Sequence, residues 1–125
     1  SFFQLPFSPF IPEDNEAFAS DSEEVTHTAG LINRLRMNKE KLRVLEELEL
    51  LVIDEISMVR CDTLDAIDTV LRFVRKRPLQ RFGGVQVLFI GDMFQLPPVT
   101  RDEIWQWLSA YYRSPYFFDS RVLQD

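Results

Sequence analysis

The sequence is poor in the residues that build cross-links and metal centres, with one cysteine, Cys61, and one histidine, His27, in 125 residues. A lone cysteine excludes an internal disulfide, and a four-ligand zinc centre would have to be completed by Asp and Glu. A reducing compartment such as the cytoplasm, without a structural metal, is the expectation. No apolar stretch reaches the roughly 18 residues of a membrane helix, and no basic-then-apolar leader opens the sequence, so neither membrane association nor secretion is expected. Residues 1–28 lack Lys and Arg entirely while holding Glu13, Asp14, Glu16, Asp21, Glu23 and Glu24. All 14 basic residues lie beyond that stretch, matched there by as many acidic ones, so the net charge of −6 belongs to the N-terminal end. An acidic chain argues at first sight against a nucleic-acid partner, which favours a basic surface. Confinement of the excess to one end removes that argument.

What is present is the composition of an ordinary globular domain, 46% hydrophobic, 13% aromatic and 27% charged. A chain of this length can bury roughly two-thirds of its unfolded surface, enough for a core. Residues 1–12 set Phe2, Phe3, Leu5, Phe7, Phe10 and Ile11 among Pro6, Pro9 and Pro12, whose fixed φ and missing amide donors exclude a regular helix or central strand. The acidic, Ser-rich stretch that follows to Thr28 reads as a mobile surface loop, and residues 29–125 as the folded domain.

Residues 29–37 show no decisive pattern. A short helix is predicted from Asn38, as N-cap, to about Glu47, with Leu42, Leu45 and Leu48 at helical spacing. Leu50 to Ile53 and Val85 to Ile90 are short apolar runs with the length and branching of strands buried on both faces. Between them Leu64, Ile67, Leu71 and Val74, widened by Val70 and Phe73, make an amphipathic helix. Its Asp62, Asp65 and Asp68 fall towards the positive end of the helix dipole, and Arg72, Arg75, Lys76 and Arg77 towards the negative end. Strand, helix, Gly83-Gly84 turn and strand compose a βαβ unit with parallel strands, so the class is α/β. A last helix is predicted to begin at Thr100, with Glu103 at capping-box spacing, and to present Ile104, Leu108 and Tyr111 on one face.

Ligands of a parallel sheet collect at the carboxyl ends of its strands. The first strand ends Leu51-Val52-Ile53-Asp54-Glu55 and delivers adjacent carboxylates to its tip. One of the pair can hold Mg²⁺ or its water shell while the other takes a proton from an attacking water; alternatively, one merely caps the following turn. The second strand ends Ile90-Gly91-Asp92-Met93-Phe94-Gln95-Leu96-Pro97-Pro98, where Gly91 permits a tight exit, the prolines stiffen the return, and the Gln95 amide can donate to a phosphate oxygen and accept from a water. On neighbouring strands the two tips lie about one strand spacing apart, roughly 5 Å. That is a sensible half-site for nucleotide hydrolysis.

LLVIDEISMVR (residues 50–60) followed by VLFIGDMFQLPPV (residues 87–99) resembles the Walker B motif and motif III of superfamily 1 DNA helicases of the Pif and RecD-like type. SFFQLPF at residues 1–7 is similar to the tail of their motif Ia, and SPYFFDS at 114–120 to the segment that closes their first motor domain. The resemblance implies a partial RecA-like P-loop NTPase domain, a parallel sheet with flanking helices. It implies that Asp54 coordinates Mg²⁺ through water, that Glu55 activates the hydrolytic water of ATP, and that Gln95 senses the γ-phosphate. It also implies that Ser1 and Phe2 lie against single-stranded DNA, where aromatic stacking is worth roughly 1–3 kcal/mol per base, and that the motor moves 5′ to 3′. Phe3, Phe7 and Phe10 read as core residues, Trp105 and Trp107 as packing residues, and the Arg72 to Arg81 cluster as a helix C-terminal feature, with contact to DNA phosphates as the alternative. Cys61 and His27 have no chemical role in this reading.

The sequence departs from the family pattern in lacking a GxxxxGK[ST] phosphate loop: Gly83-Gly84 is followed by Val85-Gln86. With neither the Walker A strand and loop nor the second motor domain, the expectation is an excised portion of a longer helicase, inactive on its own. In that family's sheet the missing strand lies beside residues 85–90, so an unpaired edge, uncovered apolar surface and self-association of the isolated chain are expected. The alternative function is a non-catalytic binding or assembly module that keeps the half-fold. A phosphoacceptor receiver domain using Asp54 fits poorly, because its further acidic pair and lysine are missing.

Overall fold

A fourteen-residue amphipathic helix at residues 61–74 is the element on which most of the described chain packs. The computed structural model describes residues 9–11, 26–35 and 39–124. In chain order the elements are β1 (Phe10–Ile11), β2 (Thr26–His27), α1 (Thr28–Leu35), α2 (Lys39–Glu47), β3 (Leu50–Ile53), α3 (Cys61–Val74), β4 (Gln86–Phe89) and α4 (Asp102–Leu108). Short 3-10 turns lie at Ile56–Met58, Arg81–Gly84, Phe117–Asp119 and Arg121–Leu123. Among the described residues no helix is long and apolar enough to cross a membrane.

The predicted βαβ unit is present. β3 and β4 pair in parallel, with Leu50 opposite Gln86, Leu51 opposite Val87, Val52 opposite Leu88 and Ile53 opposite Phe89. β1 and β2 form a second parallel pair, Phe10 opposite Thr26 and Ile11 opposite His27. Two residues of strand fit between Pro9 and Pro12 although a longer one would not. The undecided stretch 29–37 supplies most of α1, and α2 lies where leucine spacing put it, while its expected N-cap, Asn38, falls outside the described residues.

The two central strands are not buried on both faces. Leu51, Ile53, Val87 and Phe89 pack on the core, whereas Leu50, Val52, Leu88 and Ile90 on the opposite face remain 45–49% exposed. A strand that is apolar on both sides expects a layer on each, and the described residues supply only one, built on α3. The core of that layer joins Leu64, Ile67, Val70, Leu71 and Val74 to Phe10, Leu31, Leu45, Phe82, Val85 and Val122. Phe73, expected in the stripe, is 39% exposed. A smaller cluster unites Cys61, Leu108 and Tyr112, flanked by Ile104, Trp105 and Tyr111.

Asp62 lies in the first turn of α3 and Arg72 in the last, as the dipole reading expects, but the acidic residues do more than face a dipole. Asp62, Asp65 and Asp68 are buried, and each accepts from the backbone of a remote segment. Asp62 Oδ2 takes the Phe10 amide at 2.9 Å, Asp65 takes those of Arg121 and Val122 at 2.9 Å, and Asp68 Oδ1 takes that of Phe82 at 2.6 Å. Arg60 and Arg72 pair with Asp62 and Asp68 respectively. Spaced three apart, the carboxylates lie along one side of the helix and fix the N-terminal strand, the C-terminal segment and the approach to β4 in one register.

That approach is tight: Phe82 and Gly83 have φ of 53° and 61°, and a Cβ on Gly83 would meet the Leu71 carbonyl oxygen at 2.5 Å. α2 has no basic residue in its last turn, and Arg75, the residue that follows α3, serves instead, donating from Nη1 to the carbonyls of Leu45 (3.3 Å), Glu46 (2.8 Å) and Leu48 (2.8 Å). The capping box expected at Thr100 does not form. α4 starts at Asp102 behind Arg101, without a side-chain cap, and Thr100 Oγ1 is buried with no hydrogen-bond partner among the described residues.

Candidate functional site

β3 and β4 release their chains side by side, and the ladder between them extends past the last strand residues. The Ile90 amide donates to the Ile53 carbonyl at 2.9 Å, and the Ile56 amide donates back to the Ile90 carbonyl at 3.0 Å. Between Ile53 and Ile56 lie only Asp54 and Glu55, so both carboxylates sit on a two-residue arch anchored at each foot. Asp54 Oδ1 accepts the Glu55 amide at 2.7 Å, which ties the carboxylate to the arch. Glu55 holds φ 52° and ψ 47°, the left-handed region that an L residue with a long side chain seldom adopts. Such conformations persist where the surroundings over-determine them and concentrate at functional sites. Here the neighbours Ile56 and Ser57 are buried, at 4% and 1% exposure, while Asp54 and Glu55 are open to solvent.

Across from the arch, Asp92 organises the exit of β4. Its Oδ1 accepts the Phe94 amide at 2.8 Å and its carbonyl accepts the Gln95 amide at 3.0 Å, a turn that carries Gln95 on the same end of the sheet as Glu55. The strand-tip residues picked from the sequence, Asp54, Glu55 and Gln95, are thus brought to two adjoining, exposed tips. Ser1 and Phe2, expected against single-stranded DNA, lie outside the described residues, as do Phe3 and Phe7; Phe10 is a core residue at 2% exposure.

Arg72, Arg75 and Arg81 are engaged internally. Arg72 bonds Asp68 and the Pro78 carbonyl, Arg75 caps α2 and bonds the Gly83 carbonyl, and Arg81 donates to the Gln124 carbonyl. Sequence reasoning missed the Ile56–Ile90 hydrogen bond, the left-handed Glu55 and the Tyr112–Asp65 pair, because each depends on contacts between remote segments.

The donor set bears on what this end of the sheet can hold. Among the described residues no group of three His, Cys, Asp or Glu side chains is arranged to hold a metal ion. A cation held by protein ligands alone is therefore not supported by these residues. Mg²⁺ commonly uses one or two carboxylates, waters and substrate phosphate oxygens, and the exposed Asp54 carboxylate fits that pattern.

The sequence profile of the PIF1-like helicases matches residues 20–112. The chain belongs to the PIF1-like helicase family. Among its relatives, the ATP-dependent DNA helicase PIF1 of Saccharomyces cerevisiae is 46% identical over 72 residues, 58% of this chain and 8% of the yeast protein. The human ATP-dependent DNA helicase PIF1 is 53% identical over 51 residues, 41% of this chain and 8% of that protein. In three dimensions the chain superposes on a crystal structure of Bacteroides Pif1 bound to ssDNA with a TM-score of 0.75 and 40% identity, covering 97% of this chain and 24% of that one. A structure of Bacteroides Pif1 with ADP-AlF3 and ssDNA matches equally, with a TM-score of 0.75 over 97% of this chain. The PIF1-like chain therefore spans about a quarter of the solved relatives and 8% of these curated ones. Its α/β fold is part of the RecA-like motor domain of those helicases.

Proposed function

We propose that this chain is the segment of an ATP-dependent DNA helicase that carries one wall of its nucleotide-hydrolysis site. The observation that carries the reading is the joined pair of strand tips, the Asp54-Glu55 arch pinned through Ile56 to the β4 exit that bears Gln95. Bound Mg²⁺ would neutralise charge on the transferring phosphate. Asp54 would hold that ion through water, Glu55 would take the proton of the attacking water, and Gln95 would contact the terminal phosphate by its amide. Ser1 and Phe2 touch single-stranded DNA, and movement is 5′ to 3′. The relatives described as ATP-dependent DNA helicases, and the solved relative holding ADP-AlF3 and ssDNA together, support this assignment. The parent works where nucleic acid and a reducing medium coexist.

The phosphate loop is not in this sequence. The isolated chain accordingly has no cradle of backbone amides for the phosphates and turns over no ATP. The test is DNA-stimulated ATP hydrolysis by the longer helicase that contains these residues. Glu55→Gln is expected to lower kcat by about 10²-fold or more, within the usual range for removing a general base, with nucleotide binding retained. Unchanged turnover in that variant would overturn the assignment, and Glu55-dependent turnover by the isolated chain would overturn its predicted inactivity.

A further inference from the structure

Gly91 immediately follows the residue that pins the Asp54-Glu55 arch, and it has an ordinary backbone: its φ is not in the left-handed region, unlike those of Gly83 and Gly84. Conformational freedom therefore does not require glycine here. Space does. A Cβ at Gly91 would stand 3.0 Å from the Ile56 nitrogen, 3.1 Å from Ile56 Cγ2 and 3.6 Å from the Glu55 carbonyl carbon. Ile56 and Ser57 are packed at 4% and 1% exposure, which bars their side chains from retreating into the core, whereas Asp54 and Glu55 face solvent, so the Ile56 backbone can yield only outward, together with the arch. An added methyl would therefore be relieved by lifting the arch, stretching the 3.0 Å bond from the Ile56 amide to the Ile90 carbonyl.

We infer that Gly91 is a positioning residue for Glu55: by lacking a side chain it lets the arch seat on the exit of β4 and holds Glu55 in its left-handed conformation. The next residue, Asp92, makes the turn that carries Gln95. One backbone junction, Ile90-Gly91 against Ile56, thus serves as the common reference for Glu55 on one tip and Gln95 on the other. A displacement of the Ile56 backbone lets Glu55 relax out of the left-handed region and swings its carboxylate relative to Gln95. Misplacing a reacting group by about 1 Å can cost about 10²-fold in rate. The catalytic consequence rests on the function proposed above, but the geometric one does not.

The experiment combines amide hydrogen exchange of the nucleotide-free helicase with steady-state ATP hydrolysis, for the wild type, Gly91→Ala and Glu55→Gln. In the wild type the Ile56 amide is expected to exchange at least about 10²-fold more slowly than in an unstructured peptide; exchange at the unstructured rate overturns the inference without any variant. In Gly91→Ala, exchange of Ile56 is expected to rise at least about tenfold while the amides of α3 are unchanged. Its kcat is expected to fall about 10- to 100-fold, with KM for ATP within about twofold of wild type. If Glu55→Gln abolishes turnover while Gly91→Ala matches wild type in exchange and kcat, the positioning inference fails and the functional assignment stands. If Glu55→Gln turns over normally, the functional assignment fails, and exchange at Ile56 in Gly91→Ala then decides the positioning inference, raised exchange supporting it and unchanged exchange overturning it.

Discussion

The hydroxyl of Tyr112 donates a 2.6 Å hydrogen bond to Oδ2 of Asp65, forty-seven residues earlier in the chain. The same carboxylate accepts the amides of Arg121 and Val122, both at 2.9 Å, so one buried side chain on α3 gathers the residues after α4 and the C-terminal turn. Hydrogen bonds to a charged group are worth about 1.5–3 kcal/mol, and each buried donor left without a partner costs about 1–3 kcal/mol. Tyr112→Phe, which removes one donor and strands nothing else, is expected to destabilise by about 2 kcal/mol. Asp65→Ala, which leaves three donors unpaired, is expected to cost more than about 3 kcal/mol. Urea unfolding followed by circular dichroism measures both; an Asp65→Ala variant within about 1 kcal/mol of wild type would contradict the assigned role.

Burial raises the Asp65 carboxyl above its ordinary value of 3.8, against the lowering effect of Tyr112 and the two amides. A carboxyl whose value is raised in the folded state favours folding most below its unfolded value and loses that contribution as pH rises through the folded one. The stability difference between wild type and Asp65→Asn is therefore expected to change upward from about pH 4, wild type losing ground relative to the variant as Asp65 ionises. Urea midpoints of both proteins across that range test the sign, and a difference independent of pH would contradict it.

Cys61 is fully buried, and desolvation, reinforced by the Asp62 charge, pushes its thiol up to about 12. Only the thiolate reacts readily. In the folded protein at pH 8 the thiol is expected to resist iodoacetamide and to be labelled only at the rate of unfolding, so labelling accelerates sharply in urea. Prompt labelling under native conditions would show that the cluster around Leu108 and Tyr112 opens without global unfolding.

The outer face of the β3–β4 pair leaves Leu50, Val52, Leu88 and Ile90 nearly half exposed, and among the described residues β4 pairs only with β3. Contiguous apolar surface and an unpaired strand edge favour association. The isolated chain is expected to sediment as dimers or larger species at tens of micromolar, and Val52→Lys with Leu88→Glu to shift it towards monomer. A wild-type monomer at high concentration would refute this.

Much of the fold was legible because periodicity is a local property. Leu64, Ile67, Leu71 and Val74 announced α3, and the runs at 50–53 and 85–90 announced parallel strands. The motif residues Asp54, Glu55 and Gln95 follow directly from strands ending in polar sequence. The strands misled where burial depends on a second layer: Leu50 and Val52 are as apolar as Leu51 and Ile53, and nothing in their order tells which face is covered. The aspartates of α3 misled for a related reason. At the start of a helix an acidic residue has a sufficient local explanation, and only the distant amides of Phe10, Phe82, Arg121 and Val122 reveal another. Thr100 and Glu103 had capping-box spacing, but the helix begins two residues after Thr100.

The carboxylates of α3 also impose an order of events on a ribosome. Asp65 emerges 56 and 57 residues ahead of the amides of Arg121 and Val122 that it must meet. Until then, burying it would leave a charge lacking two of its three donors, which is unfavourable, so α3 can form early as a helix but cannot fully close its acidic side. Commitment to the native core is deferred to the end of the segment, and a nascent chain halted before residue 121 keeps that side of α3 open to solvent and to chaperones.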